Sequence, residues 1–167
     1  MTRNIEGHSW VGWREWVALP EFGINRIKAK IDTGASTSSI HAIHIRRFVE
    51  DGRERVAFEV HPLQRRTDVT VACVADILDE RIVTSSTGHR EKRLVVRTRL
   101  LIAERSWPID LTLANRDTMG FRMLIGRAAM QGRLLVDPGS SFLSGAAKAR
   151  KKSESQRIPK KPKLATE

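Results

Sequence analysis

The sequence predicts a small all-β domain with one short helix near its C-terminal end, and three observations lead there. β-branched and aromatic residues come in short clusters, Gly, Pro, Asn and Asp punctuate the gaps between them, and that pattern argues against a helical bundle. The third observation is size: 167 residues with 40% apolar content suffice for one core and are too few for two full domains.

Residues 10–19 read as a first strand, with Pro20-Glu21-Phe22-Gly23 as its turn. Residues 24–31 follow as a second strand, Ile27, Ala29 and Ile31 sharing one face by the two-residue strand period, and this hairpin delivers Asp32 to a strand end. Asp51-Gly52, set between Phe48-Val49 and residues 56–60, is a hairpin signal. Further strands are predicted at residues 69–74, 82–84, 94–103 and 107–113. The third of these alternates only in part, through Val96, Arg97, Thr98 and Arg99, so one face is expected to be wet. Met123-Leu124-Ile125 is a dense apolar strand broken by Gly126. Residues 127–131 have the composition of a single short helix, and a last strand at 134–136 stops at Asp137-Pro138-Gly139. No internal repeat is present, and the strand spacing fits a closed or sandwiched β-domain.

One cysteine, Cys73, excludes an internal disulfide and a Cys-rich zinc site. No apolar run reaches the roughly 18–20 residues of a membrane span, and the first ten residues lack a signal peptide's apolar block, so the expectation is a cytoplasmic protein with no membrane partner. The formal charge is +11. Residues 144–167 hold eight basic and two acidic residues, a charge of +6, which leaves +5 on residues 1–143. With Pro159 and Pro162 and little apolar content, residues 144–167 read as a disordered basic tail beyond a single domain at 1–143. The tail is either an electrostatic tether to RNA or the ribosome or a solvating terminus.

The chemistry concentrates where an apolar strand runs into Asp32-Thr33-Gly34-Ala35. A turn holds such an aspartate at the strand end, the glycine lets backbone approach closely, and the threonine hydroxyl can donate across a symmetry axis. By itself the triplet is also an ordinary turn, so the flanks matter. The chain resembles the retropepsin-like aspartic peptidases through Asp32-Thr33-Gly34-Ala35 and the later Leu124-Ile125-Gly126-Arg127. Within them it is most similar to the bacterial RimB-like proteins, often labelled ATP-dependent zinc proteases. That likeness runs through Gly12-Trp13-Arg14-Glu15-Trp16-Val17, Leu19-Pro20, Ile27-Lys28-Ala29-Lys30-Ile31 and Val136-Asp137-Pro138, and covers about residues 10–143.

The resemblance implies a retropepsin-like acid-protease β-barrel that works as a homodimer, since one chain supplies one Asp-Thr-Gly loop and the mechanism uses two carboxylates. Two Asp32 carboxylates about 3 Å apart would share one proton, one acting as base on water and the other polarising the substrate carbonyl. Asp137, the rival second aspartate, sits in Asp-Pro-Gly turn chemistry without the Thr-Gly context. By the same resemblance Thr33 cross-bonds to its mate, Gly34 lets the loops pack, and Ala35 completes the active-site loop without a hydroxyl to offer the carboxylate. Gly126 passes beneath the loop, and Arg127 braces the dimer contact. The viral relatives give that arginine an acidic partner, whereas Ser36 and Thr37 follow here, so Arg127 needs another. A glycine-containing flap over the substrate is also implied. Ser85, Ser86 and Gly88 are its candidates, with a plain exposed hairpin tip as the alternative.

The family label's metal and nucleotide do not follow from the residues. His41 and His44 are spaced to meet on one helical face, but no His-Glu-x-x-His, no third ligand and no phosphate-loop motif is present, so no metal or other cofactor is expected. The leading expectation is an aspartic endopeptidase acting on an extended peptide or protein tail, linked to RimK-type glutamate modification of a ribosomal protein. The alternatives are a catalytically silent dimeric β-module binding RNA or ribosome through its tail and, more remotely, a metallohydrolase using His41 and His44.

Overall fold

The computed structural model describes residues 5–63, 66–115 and 120–145. The basic tail therefore lies outside the described residues from position 146 onward. The chain forms β1 (Ser9–Gly12), β2 (Arg14–Leu19), a single 3-10 turn at Pro20–Phe22, β3 (Ile24–Ile31) and β4 (Ser38–His41). Then come β5 (Ile43–Glu50), β6 (Arg53–Val60), β7 (Val71–Asp76), β8 (Asp79–Thr84), β9 (Arg90–Ile102) and β10 (Arg105–Ala114). β11 (Met123–Ile125), the one-turn helix α1 (Arg127–Met130) and β12 (Leu134–Asp137) complete it. The all-β class and the single short C-terminal helix are both as the sequence predicts. No helix among the described residues is long and apolar enough to cross a membrane.

Six strands run in the order β10-β4-β11-β3-β2-β9, and β9 pairs back onto β10, so the ladder closes into a barrel. Closure removes the sheet edges that would otherwise invite foreign strands. β3 enters the barrel antiparallel to β2 and parallel to β11. Ile27, Ala29 and Ile31 face inward and are buried, as their spacing requires. The predicted strand at 10–19 divides at Trp13, because the chain changes partner there. β1 runs parallel to β12, whereas β2 joins the barrel, and between them the Trp13 N–H donates to Ser140 O and the Trp13 carbonyl accepts from Ile31 N–H.

β4 is a strand that the sequence pattern does not announce. Its Ser38 and Ser39 are buried all the same, held by a parallel ladder to β10 and an antiparallel one to β11. A separate meander, β5-β6-β7, turns at Asp51-Gly52, with both residues at positive φ as a tight hairpin demands. Its inner face, Val56, Phe58, Val60, Cys73 and Ala75, joins the barrel core, and Phe58 meets Phe22 edge-on at 5.4 Å between ring centroids.

Candidate active site

Asp32 leaves β3 at the barrel wall. Its N–H donates to the Ile125 carbonyl at 2.9 Å, so the loop starts anchored to β11. Its carboxylate Oδ1 accepts the N–H of Gly34 at 2.9 Å and that of Ala35 at 3.2 Å. These local bonds fold the loop back on the aspartate and fix the carboxylate's direction. Asp32 is half-buried while Thr33 and Gly34 form the exposed tip.

β11 and α1 hold the loop from below. Gly126 N–H donates to Ser38 Oγ at 3.0 Å, Arg127 N–H to the Ala35 carbonyl at 2.8 Å, and Ala128 N–H to the Ser36 carbonyl at 3.0 Å. The N–H groups at the start of a helix have no intrahelical partner, and here the Asp32 loop supplies their acceptors. A Cβ on Gly126 would fall 2.6 Å from Thr37 C, so glycine is required by close approach. Arg127 donates from Nη1 to the Thr33 carbonyl at 2.9 Å, which gives the guanidinium the substitute partner that the missing acidic residue left open.

A cleft of about 770 Å³ opens above Asp32. Gly34 and Ala35 line it beside Asp32, and Ser39, Thr112 and Leu124 form a wall. These wall residues stand opposite one another across β4, β10 and β11, and the same row continues to Lys30 on β3. The β8–β9 hairpin lines the cleft with residues 81–86, so the structure brings Ser85 and Ser86 to the cleft. Gly88 lies in the same turn at φ +83°, where its N–H donates to the Ser85 carbonyl at 2.9 Å. Arg81 and Arg93 also line the cleft, Arg81 ion-paired with Asp79 and Asp110 and Arg93 with Glu91.

Sequence reasoning does not reach Ser39, Arg81, Arg93, Thr112 or Asn115 as cleft residues. Strand register brings them together and no local motif marks them, although Arg81 stands in a short alternating run just before the glycine-containing turn.

The remaining sequence candidates lie elsewhere. Asp137 ends β12 in a turn, where the Ser140 hydroxyl at 2.6 Å and the Gly139 N–H at 3.0 Å hold its carboxyl below the ordinary carboxylate range. His41 and His44 are not on a helix: His41 is buried in β4, and His44 is exposed in β5 with Nδ1 2.7 Å from Glu59 Oε2. No group of three or more His, Cys, Asp or Glu suited to a metal ion occurs among the described residues.

Glu15, which lies within the matched segment at 12–17, is fully buried on the inner face of β2. Its Oε1 accepts Gly12 N–H and Leu143 N–H, each at 2.8 Å, and its Oε2 accepts the Ser144 hydroxyl at 2.7 Å. A buried carboxylate persists only when its lone pairs are satisfied, and this one ties residues 143–144 to the β1–β2 junction.

The comparisons with known proteins agree with this architecture. A solved Legionella pneumophila protein of unknown function superimposes with a TM-score of 0.68 at 23% identity, over 81% of this chain and 98% of that one, a likeness of fold. A protein named probable alpha-L-glutamate ligase from Desulfotalea psychrophila is 52% identical over 77% of this chain and 28% of its own length. One of the same name from Parasynechococcus marenigrum is 48% identical over 87% of this chain and 30% of its own. The chain thus spans under a third of these curated relatives. The model of the RimB-like family, described as retropepsin-like aspartic endopeptidase RimB, matches residues 10–147. With that match over most of its length, the chain belongs to the RimB-like family of retropepsin-like proteins.

Proposed function

We propose that the chain is an aspartic endopeptidase that hydrolyses an extended peptide with water activated between two Asp32 carboxylates, one from each protomer of a homodimer. The observation that carries this reading is the Asp32 carboxylate, held by the Gly34 and Ala35 amides at a cleft that the β8–β9 hairpin lines. In the paired site one carboxylate takes a proton from water. The other, protonated, donates a hydrogen bond to the scissile carbonyl, and the tetrahedral intermediate collapses as the leaving amine gains a proton. Thr33, at the exposed tip, bonds to its mate across the seam, with Gly34 packing the loops, Ala35 completing the active-site loop, and Gly126 and Arg127 bracing it from below. Ser85, Ser86 and Gly88 belong to the flap that excludes bulk water.

The substrate reading follows from charge and relatives. Lys30 continues the cleft wall and residues 1–143 carry a formal charge of +5, which favours an acidic strand. Relatives named probable alpha-L-glutamate ligase carry this domain as under a third of their length. A protein tail extended by glutamate is the proposed substrate, with a RimK-type ligase or its ribosomal-protein target as partner in the cytoplasm. The deciding experiment compares wild type with Asp32→Asn on glutamate-rich and neutral peptides. A loss of about 10²–10⁴-fold in kcat is expected, and equal cleavage by both proteins would overturn the reading.

A further inference from the structure

We infer that Asp110 is a positioning residue that holds the β8–β9 hairpin at working height over the cleft by way of Arg81, an inference that rests on the peptidase reading of that cleft. β8 is an edge strand whose ladder runs to β9. β9 pairs with β8 up to Val95 and with β10 from Val95 to Ile102, and meets β2 at Leu101. The hairpin thus leaves the barrel as a two-stranded arm, and an isolated two-stranded ribbon is marginal in stability and free to twist. Side chains must set its angle.

Arg81 spans that gap. Its Nη2 meets Asp110 Oδ2 at 3.3 Å while its Nε meets Asp79 Oδ2 at 2.9 Å. Arg97, the ladder partner of Asp110, takes the other oxygen at 3.0 Å. Asp110 is therefore shared between one guanidinium on the barrel wall and one on the arm. On the opposite face of β8, Glu80 meets Arg47 of β5 at 3.3 Å, so the arm is braced from both sides. The Arg81 side chain also lines both the Asp32 cleft and a cavity of about 410 Å³ behind residues 36–38, so its displacement reshapes the cleft mouth directly. Exposed ion pairs contribute little to global stability, so the consequence of this one lies in the arm's orientation.

The test uses the full chain and two readouts. Amide hydrogen exchange across residues 79–95 is expected to speed up about tenfold in Asp110→Asn and in Arg81→Gln. It should speed up no further in the double variant, because the two residues act as one unit. Arg97→Gln, which leaves the Arg81 contact in place, should match wild type. On a cleaved peptide Asp110→Asn should raise KM about tenfold with kcat within about threefold, as expected when the binding-competent arm is less populated. Unchanged exchange in Asp110→Asn, or additive effects in the double variant, would overturn the inference. Exchange needs no substrate, so a chain that cleaves nothing refutes the peptidase reading while the clamp is still decided by its own measurement.

Discussion

At Gly126 the absence of one methyl group sets the height of the Asp32 loop. An added Cβ would stand 2.6 Å from the Thr37 carbonyl carbon and 2.8 Å from its oxygen, and backbone atoms cannot rotate aside. Gly126→Ala must therefore lift the loop and stretch the bonds from Gly126 N–H to Ser38 Oγ and from Arg127 N–H to the Ala35 carbonyl. The expected cost is about 1–3 kcal/mol, the range for overpacking. Thermal melting should show it, and a melt identical to wild type would mean the contact is not tight. Cys73 gives a second measurement at this scale. Burial pushes its thiol up from 9.0 to about 11, so the native side chain stays protonated where an unfolded one ionises. Since the thiolate is the nucleophile, alkylation at pH 8 should be much slower in the native protein than in denaturant. The folded value is the raised one, so this group's contribution is fully present below pH 9 and is lost as pH rises toward 11. Equal labelling of native and unfolded chains would contradict the burial.

Among the elements, the meander depends on one side chain above the others. Phe58 is 2% exposed and packs edge-on against Phe22, joining β6 to the 3-10 turn that feeds β3. Phe58→Ala should cost about 3–5 kcal/mol in a denaturant titration, the range for a buried aromatic truncation; a loss under about 1 kcal/mol would show that the meander folds independently of the barrel. The elements also show what the sequence makes legible. β3, β11, α1 and the Asp51-Gly52 turn can be read because local patterns define them: period-two burial, a dense apolar triplet, a helix-forming run and a hairpin dipeptide. β4 is invisible in Ser38-Ser39-Ile40-His41, because two serines carry little strand preference and only ladders to β10 and β11 make them a strand. The site divides in the same way. Asp32, Gly34 and Gly126 stand in contiguous motifs, whereas Arg81, Arg93 and Thr112 reach the cleft through register set far away in sequence.

For the whole molecule the question is whether one barrel is a complete catalyst. Each chain carries one Asp-Thr-Gly loop, and its rival Asp137 is occupied in a turn by Ser140 and Gly139. The exposed Thr33-Gly34 tip lies at the open side of the loop, whereas β11 and α1 occupy the other. A twofold pairing through that tip places the same surface patch of each protomer against the other, as a C2 interface requires. Mixing supplies a test that binding assays do not. Asp32→Asn changes one atom of the carboxylate, so the variant should still pair with wild type while contributing no acid-base function. After equilibrating equal amounts of the two proteins, random pairing leaves about half of the wild-type chains with a wild-type mate. Activity per wild-type chain should then fall to about half, and further as the variant is added in excess. A monomeric catalyst would keep its full activity per wild-type chain at every ratio, and that flat response would rule out a shared two-carboxylate site. Dilution gives the matching result. Specific activity should drop as the chain concentration falls through the dimer dissociation constant, because each half-site alone lacks the second carboxylate that the mechanism needs.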